Sequence, residues 1–260
     1  MKARLNNLGK KGIILFTLII SMLIATVAYA ASSSTPYAQL FWGNNKYYVF
    51  NNTWGSGTAG SGWWESIYYN NNSDMGWSWD WKNSNPNDVK AYPSIITGWQ
   101  FSNNMTSGSG LPTRIWDDKN INTSVNYSLS ANGNYNAAYD VWFHSTNALT
   151  GTSTPSDELM VWLNSTNAWP LGSYVETATV GGTTWKLYRG THPSGWNVYS
   201  FVRTSNTSSS SLNLKDFINH VVYYKNWMSN SRYVTSVQFG TEIFTGNGRM
   251  HIQNYSVTVQ

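Results

Sequence analysis

The chain has 260 residues, no cysteine and a formal net charge of +4. Lys2, Arg4, Lys10 and Lys11 account for that excess, because without them 12 basic residues balance 12 acidic ones. A neutral remainder lacks the basic surface that nucleic-acid binding requires, so no nucleic-acid partner is expected. The lack of cysteine excludes disulfides, cysteine nucleophiles and cysteine-ligated metals.

Residues 1–30 have the pattern of a secretory signal peptide. A basic start precedes an apolar run, and Ala28-Tyr29-Ala30 resembles a cleavage site. The apolar run is also long enough for an uncleaved membrane anchor, which stays open as the alternative. We expect a secreted, extracellular protein, or one anchored at the cell surface if the segment is retained. Only in the second case would a membrane be a partner.

The rest of the chain predicts a single domain. Residues 31–36 form a short Ser/Thr-rich joint, which is too brief to act as a long linker. Residues 37–260 are the predicted domain. All-β sandwiches of about 200–250 residues are common as single domains, so the length does not require a second one.

Aromatic and β-branched segments recur along the predicted domain, separated by Asn, Gly and Ser, which is typical of an all-β sandwich or barrel. The predicted strands are residues 47–50, 63–69, 76–81, 92–99, 125–129, 135–143, 158–163, 174–180, 183–189, 197–203, 233–244 and 249–260. Tight turns are predicted at Gly181-Gly182 and near Asn247-Gly248. Residues 214–227 show helical spacing after Asn213, a helix-capping residue, and predict one helix.

The Glu-Leu-Met-Val-Trp-Leu strand carries different chemistry on its two faces. Its alternation places three aliphatic residues toward a core and Glu158, Met160 and Trp162 on the opposite face. A later strand places Glu242 and Phe244 together in the same way. An acid in an aromatic row indicates a sugar cleft, so Met160, Trp162 and Phe244 are candidate substrate contacts. Packing roles fit Trp162 and Phe244 equally well.

These two strands resemble the motifs of glycoside hydrolase family 12. There, a Glu-Leu-Met-(Ile/Val)-Trp-Leu strand carries the nucleophile, and a Phe-Gly-Thr-Glu-x-Phe-Thr-Gly strand carries the general acid/base. The resemblance extends from about Tyr37 to the C-terminus. It implies a concanavalin-like β-jelly roll of two packed antiparallel sheets, with Glu158 as nucleophile and Glu242 as acid/base. Asp140, in an Ala-Tyr-Asp context, matches the family aspartate that hydrogen-bonds the nucleophile.

The resemblance also implies substrate contacts outside the two motifs. Trp54 resembles the family's stacking tryptophan on the glycone side of the cleft, with Asn52 close by. Gln100 follows a Tyr-Pro-Ser segment where some bacterial members carry a histidine-aromatic pair. Glutamine keeps the hydrogen-bonding capacity of that position but cannot carry a charge.

The predicted function is a secreted, retaining endo-β-1,4-glucanase that acts on cellulose-type glucans through two glutamates. Xyloglucan or mixed-linkage β-glucan hydrolysis is the alternative within the family, and a non-catalytic carbohydrate-binding protein is the alternative outside it. The glutamate pair distinguishes an enzyme from a binder, because binding alone does not require two opposed carboxyl groups. A β-glucan is the expected partner, the protein is expected to be a monomer, and no metal or cofactor is implied.

Overall fold

The computed structural model describes residues 31–103 and 105–260. The predicted signal peptide, residues 1–30, lies outside the described residues, so its cleavage or retention stays a prediction. In the part of the chain that is described, no helix has both the length and the apolar character needed to cross a membrane.

The described chain is mostly strand. The strands are β1 (Ala31–Ser33), β2 (Gln39–Trp42), β3 (Tyr47–Phe50), β4 (Trp64–Asn71), β5 (Asp74–Asp80), β6 (Ser94–Gly98), β7 (Thr113–Arg114), β8 (Ile121–His144), β9 (Asp157–Thr166), β10 (Ser173–Val180), β11 (Thr183–Thr191), β12 (Asn197–Arg203), β13 (Ser209–Asn213), β14 (Tyr233–Gly240) and β15 (Ile243–Val259). Helix α1 (Leu214–Asn219) continues into a π-helical turn, His220–Tyr224. An all-β fold with one short helix is thus confirmed.

The strands form one sheet that doubles back on itself because β8 belongs to two layers. One edge of β8 pairs with β15 along its first half and with β14 along its second half. The other edge pairs with β13 and then with β9. The outer layer therefore runs β1-β4-β5-β15-β8-β13, and the inner layer runs β2-β3-β6-β14-β8-β9-β12-β11-β10. This is the predicted jelly roll, except that β9 and β12 pair in parallel.

The two long strands change layer at a pair of glycines. Gly133 in β8 has φ +108°, and Gly246 in β15 has φ +103°. A Cβ on Gly133 would lie 2.3 Å from the carbonyl oxygen of Thr245, and one on Gly246 would lie 1.9 Å from that of Asn132. Only glycine permits this close approach. Residues around Gly133 look like a break in the sequence, so β8 was predicted as two strands, yet it is one strand of 24 residues.

The turn predicted near Asn247-Gly248 is wrong. Both residues lie inside β15 and pair with β5. Glycine is needed at position 248 for space rather than for a turn, because an added Cβ would lie 2.5 Å from the Trp79 ring and 2.5 Å from the Ala131 side chain. The other predicted glycine turn is confirmed and joins β10 to β11.

The predicted helix, residues 214–227, is confirmed at its start and ends early. Asn213 caps it as expected, since its side chain accepts a hydrogen bond from a backbone N–H of the first turn. The helical backbone stops before Asn226, which has φ +54°. Trp227 then turns back to stack on Tyr199, with ring centroids 5.8 Å apart.

The residues predicted as a joint begin the sheet. Strand β1 pairs antiparallel with β4, which would otherwise be the edge of the outer layer. The backbone of a short polar segment satisfies that edge, because ladder hydrogen bonds do not depend on side chains. Part of the predicted joint therefore belongs to the fold.

The core lies between the two layers. The predicted inward residues of β9, namely Leu159, Val161 and Leu163, are fully buried there. Helix α1 covers one end of the core, where Phe217 packs edge-on against Trp185 with centroids 5.1 Å apart. The opposite face of the inner layer points away from this core, and we call it the open face.

Candidate active site

The open face carries the predicted catalytic residues of β8 and β9 side by side. Trp142 lies opposite Glu158, and Asp140 lies opposite Met160, in the pairing of the two strands. Because alternate residues of paired strands share a face, all four side chains are on the open face. The carboxyl groups of Asp140 and Glu158 also interact electrostatically with Glu242. The three predicted catalytic residues are therefore brought together.

Glu158 is held by an indole. Its Oε2 accepts a hydrogen bond of 2.7 Å from Nε1 of Trp196, a residue that the sequence analysis did not identify. Burial raises the pKa of Glu158 to about 8, while hydrogen bonding to Trp196 and Asp140 lowers it and the charge of Glu242 raises it. Both hydrogen bonds favour the carboxylate form. The two hydrogen bonds thus oppose the effect of burial on Glu158.

Glu242 is placed by an interruption of the strand between β14 and β15. Its backbone N–H donates to Oδ1 of Asn136 at 3.0 Å, and its carbonyl accepts from the backbone N–H of Asn136 at 3.1 Å. The Nδ2 group of Asn136 also donates to Oε2 of Glu242. Burial raises the pKa of Glu242 to about 7, although the Asn136 hydrogen bond lowers it. Glu242 can therefore hold a proton near neutral pH.

Asp140 is buried beside the other two acids. Burial, and then the charges of Glu158 and Glu242, raise its pKa well above the usual value. Within the described residues, none of the three acids forms an ion pair with Lys, Arg or His. Three buried carboxyl groups without a cation cannot all ionise. Burial and the two neighbouring charges thus favour the protonated form of Asp140.

Tyr92 lies among the acids and was not predicted. Its pKa is raised by burial and then by the charges of Asp140, Glu242 and Glu158, which places its ring close to all three. The hydroxyl donates to the carbonyl oxygen of Ala138 at 3.1 Å. Tyr92 begins the Tyr-Pro-Ser segment noted in the sequence, but nothing there indicates a place beside the acids.

The segment that carries Trp54 is tied to the site by backbone hydrogen bonds. The carbonyl of Asn52 accepts from the N–H of Tyr92 at 2.8 Å. Beyond this segment, the N–H of Lys90 donates to the carbonyl of Ile243, and the N–H of Ile243 donates to the carbonyl of Ala91. The Trp54 side chain, 56% exposed, therefore stands one backbone segment from Tyr92 and two from Glu242, with its ring free to stack on a sugar.

Four further predicted contacts differ in their access to a substrate. Phe244 is half-buried beside Glu242. Met160 is buried, and its sulfur accepts from the indole of Trp162 at 3.5 Å. Trp162 is 1% exposed, so its role is packing. Gln100 is 4% exposed, and its Oε1 is 3.4 Å from Nε2 of Gln238, which lies opposite Asp140 in the pairing of β14 with β8, so Gln100 is at the open face.

Asn136 and Trp196 are functional residues that sequence reasoning missed. Asn136 is 106 residues from Glu242 along the chain, and Trp196 is 38 residues from Glu158. The one available signal was the large aromatic Trp196 directly after the Pro-Ser-Gly loop segment. Within residues 31–103 and 105–260, no group of three or more His, Cys, Asp or Glu is arranged to hold a metal ion.

Two buried glutamates in an aromatic cleft, with different hydrogen-bond partners and proton affinities, define a glycoside hydrolase. Comparison with known sequences identifies the family of glycoside hydrolases. The chain belongs to glycosyl hydrolase family 12, whose sequence model matches residues 45–260. The family inferred from the two glutamate motifs is therefore confirmed.

Relatives within the family include glucanases and xyloglucanases. Endoglucanase S of Pectobacterium parmentieri is 46% identical over 245 residues, which cover 92% of each chain. Xyloglucan-specific endo-beta-1,4-glucanase A of Emericella nidulans is 36% identical over 225 residues, covering 82% of this chain and 85% of that protein. The solved family 12 xyloglucanase from Bacillus licheniformis superimposes with a TM-score of 0.86 at 55% identity, covering 88% of this chain and all 100% of that one.

Proposed function

We propose that the protein is a secreted, retaining endo-β-1,4-glucanase. The observation that carries this proposal is the different hydrogen bonding of the two glutamates. Burial raises the pKa of both glutamates, to about 8 for Glu158 and about 7 for Glu242, so the pair carries both protonated and ionised carboxyl groups near neutral pH. Glu158, which accepts from Trp196 at 2.7 Å, is assigned as the carboxylate because the hydrogen bonds from Trp196 and Asp140 both favour its ionised form. A retaining glycosidase needs one ionised and one protonated carboxyl group, and this pair supplies both.

In the first half of the reaction, a Glu158 oxygen attacks the anomeric carbon of the sugar on the glycone side. The bond from that carbon to the bridging oxygen breaks as the new bond forms, and Glu242 gives its proton to the departing oxygen. The product is a glycosyl ester on Glu158. Asn136 fixes the backbone and carboxyl group of Glu242 during this transfer.

In the second half, Glu242 is ionised and removes a proton from a water molecule. That water attacks the anomeric carbon from the face that the leaving sugar vacated, and the ester bond to Glu158 breaks. Two inversions restore the original configuration. Asp140 keeps its proton throughout and hydrogen-bonds Glu158, which favours the departure of Glu158 as a carboxylate.

Aromatic side chains on both sides of the acids support cleavage within a chain. Trp54 stands on the side of β3. On the other side, Tyr188 lies opposite Ser200, which lies opposite Met160, so it is on the open face two strands from β9. That spacing is about 10 Å. Tyr174 extends the row, with its ring centroid 5.8 Å from that of Tyr188. A substrate that continues in both directions from the cleavage point suits this arrangement.

The decisive experiment replaces each glutamate by alanine and adds azide with an activated aryl cellobioside. Glu242→Ala should still form the glycosyl ester, because a good leaving group needs no acid. Azide should then speed turnover and yield the β-glycosyl azide. Glu158→Ala should form no ester, and any azide product should be the α-anomer from one inversion. The opposite stereochemistry in the two variants would reverse the roles, and wild-type-like activity in both would reject the proposal.

Xyloglucan is a second candidate substrate. The xyloglucanase structure at 55% identity favours it, as does the similarity to the Emericella xyloglucan-specific enzyme. Similarity to Endoglucanase S favours an undecorated glucan. The kcat/KM values on xyloglucan, carboxymethylcellulose and mixed-linkage β-glucan, measured on one enzyme preparation, decide between them. Equal inactivity on all three would favour a binding protein.

Export rests on the sequence of residues 1–30 alone. The basic start, the apolar run and the small-residue site support cleavage near Ala31. N-terminal sequencing of protein from culture supernatant tests this. Recovery from membranes only, with the apolar run intact, would favour an anchored protein instead.

A further inference from the structure

The loop between β11 and β12 folds back on itself around Trp196. The backbone N–H of His192 donates to the carbonyl of Trp196 at 2.8 Å, and its carbonyl accepts from the N–H of Gly195 at 2.8 Å. Gly195 has φ +105°, which glycine adopts without strain. These bonds place the side chains of the first and last loop residues next to each other.

The rings of His192 and Trp196 are stacked face to face. Their centroids are 3.8 Å apart and their planes differ by 7°. The imidazole therefore covers one face of the indole. Trp142 contacts the indole edge-on, at 5.6 Å and 72°, so Trp196 is restrained from two directions. The only polar atom of the indole side chain, Nε1, points at Glu158.

The orientation of His192 is itself determined by the loop. The backbone N–H of Ser194 donates to Nδ1 of the imidazole at 3.1 Å, so that nitrogen carries no proton. Burial also lowers the pKa of His192. The ring is thus neutral, and it contributes a flat surface rather than a charge.

We propose that His192 is a positioning residue that holds the indole of Trp196 in the plane from which its N–H reaches Glu158. This inference rests on the proposed role of Glu158 as the nucleophile. A hydrogen bond prefers an angle above about 150° and weakens steeply below about 120°, so an unsupported indole that rotates away from Glu158 would lose the bond. His192 has no hydrogen bond to any of the three acids, and its effect on catalysis passes through Trp196.

The test measures the rate at which a 2-deoxy-2-fluoro-cellobioside with an activated leaving group labels Glu158, followed by mass spectrometry. His192→Ala should slow labelling about three- to tenfold, the range that one lost aromatic pair corresponds to. The acidic limb of the pH profile should move to higher pH, because a weaker Trp196 hydrogen bond stabilises the carboxylate less. His192→Phe keeps a flat ring and should restore both properties. His251→Ala, on the outer layer, is the control and should behave as wild type.

A double-mutant cycle identifies the route of the effect. If His192 acts through Trp196, then His192→Ala should cause no further slowing in a Trp196→Phe background, which lacks the indole N–H. Undiminished slowing there would overturn the inference. An increase in KM with unchanged kcat would also overturn it, because His192 would then contact substrate directly. If alanine lowers the melting temperature strongly, His192→Leu fills the space without a ring and should slow labelling similarly.

The two proposals fail separately. If the wild-type protein is not labelled on Glu158, then the proposed nucleophile is wrong. If the wild type is labelled and His192→Ala is labelled at the same rate with the same pH profile, only the positioning role is wrong.

Discussion

Asn136 holds Glu242 through both ends of one amide. Its Oδ1 accepts from the backbone N–H of Glu242 at 3.0 Å, and its Nδ2 donates to the Glu242 carboxyl group. The side chain of one residue therefore fixes both the strand interruption and the carboxyl group that emerges from it. Donation from Nδ2 also stabilises the ionised form, which lowers the pKa of Glu242 against the effect of burial.

Asn136→Ala should lower kcat about 10- to 100-fold, since a hydrogen bond to an ionisable group is lost. It should also raise the pKa of Glu242, so the basic limb of the profile moves to higher pH. Steady-state kinetics across pH on an aryl cellobioside with a poor leaving group measure both effects. Asn126→Ala, an exposed asparagine of the same strand, is the control. A basic limb that does not move would mean that Asn136 is structural only.

The wild-type enzyme should lose activity as the pH rises through about 7, because burial raises the pKa of Glu242 to about 7 and the acid must carry a proton. The profile of kcat/KM reports the free enzyme and is the relevant measurement. With an activated leaving group the first step needs no acid, so the rate of that step should no longer fall as the pH rises. If the basic limb persists for that step, the limb reports the titration of a group other than Glu242.

Glu65 should make the fold less stable as the pH rises. It is buried between the layers, where Trp81 donates to one oxygen and the other has no partner among the described residues. Burial raises its pKa well above 4.5. Because the folded state binds the Glu65 proton more tightly than the unfolded state does, the protonated group stabilises the fold at low pH. This stability is complete below the pKa of Glu65 in the unfolded chain. It is lost as the pH rises through the pKa of Glu65 in the folded protein, at a rate of at most about 1.4 kcal/mol per pH unit.

Glu65→Gln removes that slope, so urea unfolding from pH 5 to pH 8 should show an advantage over wild type that grows with pH. Glu176→Gln is a control that should change the stability in the opposite direction. Lys225 and His220 hold the pKa of Glu176 below its usual value, so its loss should destabilise the protein at neutral pH. A constant difference between Glu65→Gln and wild type would show that Glu65 does not titrate between the folded and unfolded states.

Tyr188→Ala should lower kcat/KM on polymeric glucan about two- to tenfold, the amount that one aromatic contact contributes. An aryl cellobioside has no sugar beyond the cleavage point, so its kcat/KM should not change. Tyr224→Ala removes a 79% exposed tyrosine beside helix α1 and should leave both substrates unaffected. Equal losses on both substrates would place Tyr188 outside the substrate path.

Sequence reasoning succeeded where structure follows from neighbours in the chain. The alternation along Glu158, Met160 and Trp162 predicts a shared face, because successive strand residues must point in opposite directions. It could not separate the reachable side chains from the buried ones. Trp162 is buried because residues of neighbouring strands, such as Ala138 of β8 and Val202 of β12, pack beside it. Burial of that kind depends on the complete fold.

Two glycines also show that sequence reasoning cannot detect contacts between distant segments. Gly133 and Gly248 look like turn residues, since glycine is common where the chain reverses. Each is required because another strand passes too closely for a side chain. A single sequence records that a side chain is missing, and it does not record which segment occupies the space. These two errors in the strand assignment therefore have one cause.

The layer-spanning strand β8 also determines when the active site can be completed. β8 ends at His144, but its partners β14 and β15 begin at Tyr233 and Ile243. Until those last strands are synthesised, β8, the longest of the described strands, has an unpaired edge that could join another chain. Pairings so distant in sequence also fold slowly. The catalytic acid arrives with the closing strands, so an incomplete chain has neither a closed sheet nor a complete pair of glutamates.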